Sequence, residues 1–205
     1  MVLMQRIAAL VLAGGLSRRL GYPKQLVDLC GKPALQWVLD AVQRTSLEPR
    51  VVVLNPDIAG ARALNTEGFL VVVNERAGEG QSTAIRAGLA VLPDDVDAVV
   101  FFLGDQPFID PAVVALLIDR FRSTQAAIVR PRYADGPGHP ILIARRLFPE
   151  LVSLEGDTGA RPVLARHRDA IVTCDVPDRS IPLDLDTPED IERARQLCRE
   201  QCREP

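Results

Sequence analysis

The sequence predicts an α/β fold: a three-layer sandwich around a mostly parallel, Rossmann-like sheet, folded as one domain over residues 1–205. Three observations carry this. Short runs rich in Val, Ile and Leu alternate with amphipathic stretches from end to end, as a parallel sheet covered on both faces requires. No internal repeat, low-complexity run or long linker divides the chain. Its 205 residues, 47% hydrophobic and 25% charged, are those of an ordinary globular protein, long enough to bury a core. A formal net charge of −3 argues against a protein that coats nucleic acid.

Taken in order, Ile7 to Ala13 reads as a buried first strand, too short to cross a bilayer. Arg6 before it imitates a signal peptide, but Gly14, Gly15, Arg18 and Arg19 follow with no small-residue cleavage site, so the expected location is the cytoplasm. Leu35, Val38, Leu39 and Val42 fall at helical spacing, which predicts a helix over 33–45 with Pro33 in its first turn. Strands follow at 50–54 and 69–73, separated by a helix over 57–65 that Asn55 caps. A glycine-punctuated loop, 74–83, enters a helix over 84–92. The run 97–103 is nearly all apolar and belongs at the sheet centre. Asp110 and Pro111 open the next helix as cap and first residue. A short strand at 127–130, a loop over 130–140, a strand at 141–143 and a helix over 145–154 come next. A polar loop, 156–161, leads to a short helix near Pro162 and to last strands at 171–174 and 181–185. Thr187, Pro188 and Asp190 then start the terminal helix.

In such a sheet, ligands sit at the carboxyl ends of the strands. The loop after the first strand, 12–24, carries adjacent glycines, the Ser17 hydroxyl, and the cations Arg18, Arg19 and Lys24. Glycines let a ligand approach the backbone. Free N–H groups, a hydroxyl and cations at a strand end suit a polyphosphate. Neither G-x-G-x-x-G nor the P-loop pattern fits; the competing reading is a glycine turn with solvated arginines. Asp105 ends the central strand. A carboxylate there needs a positive partner, which Mg²⁺ shared with substrate phosphates supplies; otherwise it forms a turn before Pro107. Asp184 and Asp186 alternate along the last expected strand and so share a face. They are candidates for the second metal ligand, or simply caps for the last helix. The cysteines at 30, 174, 198 and 202 form no C-x-x-C pair. Cys198 and Cys202 share one side of the terminal helix, expected to be a half-buried face.

The pattern G-G-x-S-x-R-x-G-x-x-K at 14–24 resembles the signature loop of the molybdenum cofactor nucleotidyltransferases, the molybdopterin guanylyl- and cytidylyltransferases. Gly80 to Leu89, Gly104-Asp105-Gln106-Pro107, Gly138-His139-Pro140, Gly156-Asp157-Thr158-Gly159-Ala160-Arg161 and Asp184 to Pro188 extend the resemblance, most strongly to the cytidylyl branch. One departure stands out: that branch reads Leu-Ala-Ala-Gly, whereas Leu12-Ala13-Gly14-Gly15 is the guanylyl form. The resemblance implies a sheet of the nucleotide-diphospho-sugar transferase type and Mg²⁺-dependent transfer of CMP from CTP to molybdopterin. By that resemblance Leu12, Ala13, Gly14, Gly15, Ser17, Arg19 and Lys24 bind the nucleotide, and Gly80 and Ser82 line the base pocket. Lys24, Arg19 and Asp105 are catalytic. Asp105 and Asp186 hold the metal, with Asp184 as second choice. His139, Asp157 and Arg161 face the acceptor. No nucleic acid or membrane is involved, and a molybdoenzyme or its chaperone is a possible partner. The alternatives are a guanylyl- or sugar-phosphate nucleotidyltransferase of the same fold, a nucleotide-dependent oxidoreductase, and a non-catalytic nucleotide-binding module.

Overall fold

Strand β1 (Ile7–Ala13) takes the middle of the sheet because both of its faces are apolar. Ile7, Ala9, Val11 and Ala13 enter one buried cluster, while Ala8 and Leu10 enter the cluster on the other face, the period-two alternation of a strand. Burial of a side chain such as Leu10 is worth roughly 1.5–3 kcal/mol. The computed structural model describes residues 5–15, 20–61, 63–176 and 183–201.

After β1 come the paired β2 (Asp28–Leu29) and β3 (Lys32–Pro33), then α1 (Ala34–Gln43), β4 (Arg50–Leu54), α2 (Pro56–Ala59) and β5 (Leu70–Val73). Next are α3 (Gln81–Leu89), β6 (Ala98–Leu103), α4 (Pro111–Thr124), β7 (Ile128–Tyr133), β8 (Gly136–Pro137) and β9 (Ile141–Ala144). The chain continues through α5 (Phe148–Val152), α6 (Arg161–Arg166), β10 (Ile171–Asp175) and α7 (Pro188–Gln201).

The main sheet runs β10-β7-β9-β6-β1-β4-β5, with β8 paired to β7. β1 lies parallel between β4 and β6, and β5 extends the parallel run. These strands therefore deliver their following loops to one rim. On one face α1 and α4 cover the sheet, contributing Leu35, Val38, Leu39, Val114, Leu117 and Phe121. On the other, α3, α5 and α6 contribute Ile85, Leu151 and Val163. Gly88 lets α3 come close: a Cβ there would lie 2.3 Å from Leu10 Cδ1.

Three expectations need correction. The helix expected over 57–65 ends as the single turn α2 at Ala59, with Asn55 capping it by accepting from Ile58 N at 2.9 Å. The loop expected over 130–140 is partly a hairpin: β7 runs on to Tyr133 and β8 returns beside it. β9 then enters antiparallel to both β6 and β7, so the strand–helix alternation is broken there. Finally, residues 183–185 form no strand, and the rest of the span expected at 181–185 lies outside the described residues. Leu185 N donates to Asp105 O at 3.2 Å, tying this segment to the end of β6. Its alternation survives without a sheet, because Leu183 and Leu185 are buried in a third cluster with Val27, Leu29, Ile191 and Ala194.

That cluster holds a feature the spacing of cysteines could not show. Cys198 on α7 is fully buried and bonded to Cys30, 168 residues earlier in the β2–β3 turn. The bond joins the segment just after Lys24 to the helix just after Asp186. Among the described residues no helix is long and apolar enough to cross a membrane.

Candidate active site

The rim encloses a cavity of about 550 Å³. Leu12, Gly14, Gly15 and Lys24 line it from the first loop, Asn74, Glu79, Gly80 and Gln81 from the turn before α3, and Asp105, Asp157, Arg161 and Asp186 from three further segments. Most of the residues singled out in the sequence are thus brought together. Ser17, Arg18 and Arg19 lie outside the described residues. Ala13 and Ser82 are fully buried beneath the wall.

The glycine loop is held from below by amide side chains. The Gly15 carbonyl accepts from Gln25 Nε2 and from Asn55 Nδ2, each at 3.2 Å. Both amides are almost wholly buried, so these bonds are protected from competing water. Gly14 and Gly15 are not at positive φ. A Cβ on Gly14 would meet Ala84 Cβ at 3.6 Å and Asn74 Nδ2 at 3.8 Å, ordinary contacts. The backbone does not require glycine at 14; its absent side chain widens the cavity.

At the floor, Lys24 Nζ is clasped by two carboxylates from distant segments. It pairs with Asp105 and lies 2.6 Å from Asp186 Oδ1. The lysine and Asp105 side chains are only 15% and 18% exposed, while Asp186 is 48% exposed. Burial alone would lower the lysine pKa, but the two carboxylates outweigh it and raise the value. Asp184, beside this group, receives a bond from Gln106 Nε2 at 2.8 Å. Burial, and beyond it the charges of Asp105 and Asp186, push its carboxyl pKa up against that bond. Asp184 and Asp186 therefore do face the same way, as their spacing predicts. Both face the end of β6.

A second loop closes over the turn before α3. Asp157 Oδ1 accepts from Gln81 N at 3.1 Å, and Gly156 O accepts from Ser82 N at 3.2 Å. Asp157 thereby caps α3 and neutralises part of its positive end. Gly80 makes the closure possible: it sits at φ +112°, and a Cβ would lie 2.4 Å from Gly156 C. His139 does not line the cavity. Its backbone carbonyl accepts from Tyr133 Oη at 2.6 Å, and its ring Nδ1 is buried with no hydrogen-bond partner. Burial drives its pKa down to about 4, against a bond to the Phe101 carbonyl that favours the cation.

Sequence reasoning missed Gln25, Asn55 and Asn74 as parts of this site. The signal was present: Asn55 and Asn74 each directly follow an apolar strand, where a polar side chain meets the rim. Asn74 Nδ2 bonds Thr83 Oγ1 at 2.8 Å and ties β5 to α3.

Among the described residues no three His, Cys, Asp or Glu side chains form a metal cage. Asp105 and Asp186 nevertheless converge on one cation, the Lys24 ammonium. Two hard oxygen donors around one positive centre fit Mg²⁺ or Mn²⁺, which takes its remaining ligands from phosphates and water.

Comparison with known proteins gives the family. The profile of the MobA-like NTP transferase domain matches residues 9–176. A bifunctional IspD/IspF enzyme of Sphingopyxis alaskensis is 35% identical over 60% of this chain, a match that spans 32% of that protein's length. A probable molybdenum cofactor guanylyltransferase of Natronomonas pharaonis and the nicotine blue oxidoreductase of Paenarthrobacter nicotinovorans are each 29% identical, over 91% of this chain and 95% of their own length. Among solved structures, an Rv0371c homologue from Mycobacterium sp. strain JC1 superposes with a TM-score of 0.86 at 32% identity, over 97% of this chain and 100% of that one. Rv0371c of Mycobacterium tuberculosis H37Rv, solved in complex with manganese, gives 0.77 at 29% identity over 94% and 98%.

Proposed function

The chain belongs to the MobA-like NTP transferase domain family, and from that premise we propose that it transfers CMP from CTP to molybdopterin with Mg²⁺. In this reaction a phosphate oxygen of the acceptor attacks the α-phosphorus. A new O–P bond forms, the bond to the β-phosphate bridge breaks, and pyrophosphate leaves. Such chemistry needs positioning and charge neutralisation rather than a covalent nucleophile.

The observation that carries this reading is the convergence of Lys24, Asp105 and Asp186 under a glycine loop at one rim. Backbone N–H groups of the Gly14–Gly15 loop, with Ser17 and Arg19, receive the triphosphate. Lys24 neutralises charge on the phosphates. Asp105 and Asp186 hold the metal, which supplies Lewis-acid stabilisation of phosphate charge. Asp186 is preferred over Asp184, because its carboxylate meets the same cation as Asp105, whereas Asp184 is engaged by Gln106 Nε2. Leu12, Ala13 and Gly80 frame the base, and Ser82 supports that wall from beneath. Asp157 is better placed to orient the base-side turn than to touch the acceptor, since its carboxylate already caps α3. The molybdopterin acceptor is supported by relatives named for the molybdenum cofactor.

A second reading, GTP as donor, is favoured by Gly14, whose missing Cβ leaves room beside Asn74. Pyrophosphate release with Mg²⁺ and molybdopterin, compared across CTP, GTP, ATP and UTP, separates the two. Release with CTP alone supports the cytidylyl reading, and release with GTP moves the protein to the guanylyl branch. No release with any of the four overturns the molybdopterin acceptor. A bound flavin or nicotinamide in the purified protein points instead to redox chemistry.

A further inference from the structure

β2 and β3 pair antiparallel with Cys30 and Gly31 as the two-residue loop between them. Both loop residues sit at positive φ, 55° and 82°, the backbone of a tight hairpin that Asn-Gly fills most cheaply. A cysteine adopts that conformation at a cost. Here the residue is exposed, and its sulfur is joined to the fully buried Cys198. α7 buries Ile191, Ala194 and Cys198 at helical spacing. None of the three belongs to the clusters on the two faces of the sheet; they pack in the third, against Val27, Leu29, Leu183 and Leu185. α7 is therefore docked on a small satellite core, and the disulfide ties it covalently to the β2–β3 turn. The other end of α7 is at the site. Thr187 and Asp190 cap the helix reciprocally, and Asp186, just before that cap, lies 2.6 Å from Lys24 Nζ.

We propose that Cys30 is an exchange site for low-molecular-weight thiols, and that its disulfide with Cys198 is a reversible clamp holding α7, and with it Asp186, at the cavity. The chemistry is thiol–disulfide exchange. An external thiolate attacks the Cys30 sulfur, a mixed disulfide forms at Cys30, and the Cys198 sulfur leaves as a thiolate that takes up a proton. A second external thiol attacks the external sulfur of the mixed disulfide and frees Cys30. In total two external thiols are oxidised to one disulfide, and Cys30–Cys198 is reduced to two thiols. Reduction acts locally because α7 shares no cluster with the sheet: an element held by a few apolar contacts opens on its own once the constraint is gone. When α7 moves, the capping turn moves with it and Asp186 leaves Lys24. A weaker hold on a divalent cation is the consequence that rests on the transferase reading above; the exchange site does not depend on it.

The test equilibrates the full chain with mixtures of reduced and oxidised glutathione, traps thiols by alkylation, and maps which of the four cysteines are joined. Cys30–Cys198 should open while the protein stays folded, with glutathione recovered on Cys30. Hydrogen exchange locates the effect. Amides of 188–201 should lose protection by about tenfold or more on reduction, while those of β1 and β6 keep theirs. The single tryptophan is a second reporter, since Trp37 Nε1 donates to the carbonyl of Leu29, next to Cys30, at 3.1 Å. Its emission should rise as the quenching disulfide is cleaved and shift to longer wavelength as the satellite core loosens. Cys30→Ser should match the reduced wild type at every glutathione ratio. The proposal is overturned when the bond yields to glutathione only after denaturation, when α7 is equally protected in both states, or when β1 and β6 lose protection together with α7, the behaviour of a plain structural staple. Mn²⁺ binding followed by electron paramagnetic resonance reads the consequence, with affinity expected to fall about tenfold on reduction as the fraction of protein with Asp186 in place falls. Unchanged Mn²⁺ affinity with α7 opened removes Asp186 from the metal site and leaves the exchange site standing.

Discussion

Replacing Lys24 by Met removes the cation that Asp105 and Asp186 share. The Lys24–Asp105 pair is largely buried, with side chains 15% and 18% exposed. Breaking a fully buried pair costs about 3–5 kcal/mol, and an open cavity wall lowers that figure. Asp186, 48% exposed, adds about 1 kcal/mol or less. The expected loss is therefore about 2–4 kcal/mol in metal-free buffer. At roughly 2–4 °C per kcal/mol for a chain this size, the melting temperature falls by about 4–16 °C. Two carboxylates left facing one point should then bind a divalent cation more readily than in the wild type. Thermal unfolding in chelator and in a Mn²⁺ or Mg²⁺ series measures both effects. The metal should raise the melting temperature of Lys24→Met more than that of the wild type, by the usual linkage of binding to stability. Equal shifts in the two proteins, or a variant as stable as wild type in chelator, refute the argument that these acids converge on a common cation.

Other perturbations probe the closure, the histidine and the disulfide. Gly80→Ala places a Cβ at φ +112° and 2.4–2.6 Å from backbone atoms of Gly156 and Asp157, so the two loops must part. Loss of the Ser82 N–Gly156 O and Gln81 N–Asp157 Oδ1 bonds, with the strain, should cost about 2–5 kcal/mol and raise the nucleotide KM. Gly78→Ala, with nothing within 4 Å of its Cβ, is the control, and matching behaviour of the two variants defeats the reasoning. His139, with a pKa of about 4 against an ordinary 6.5, binds fewer protons folded than unfolded, so stability is lost as pH falls from 6.5 toward 4. At pH 5 that amounts to about 2 kcal/mol, with Arg130, Arg161 and Asp105 as the surrounding charges; His139→Gln should flatten this part of the pH–melting profile. Cleaving Cys30–Cys198, which closes a loop of 168 residues, should cost about 2–5 kcal/mol. Peptide mapping without reductant, alongside melting with and without dithiothreitol, checks both bond and effect. Recovery of both thiols free would agree with the cytoplasmic expectation, and recovery of the linked pair with an oxidising compartment.

The parts of this fold visible in the sequence are those that local chemistry dictates. The apolar run at β1 specifies a central strand without reference to any other segment. Asp110 accepting from Ala112 N at 2.8 Å and the reciprocal Thr187–Asp190 bonds are caps written in adjacent residues. What escaped the sequence was long-range pairing. β9 looks like any short apolar strand; its antiparallel direction is set by the β7–β8 turn. Asp184 and Asp186 kept their alternating faces without a sheet partner, because burying Leu183 and Leu185 against α7 is enough to fix it. The same limit applies at the site. Gly14, Gly15, Lys24 and Asp105 are legible as residues of one cavity, because each stands in a loop that follows an apolar strand. Gln25, Asn55 and Asn74 were not, because an amide side chain reads as a surface residue until the strand ends and loops that bury it are placed side by side.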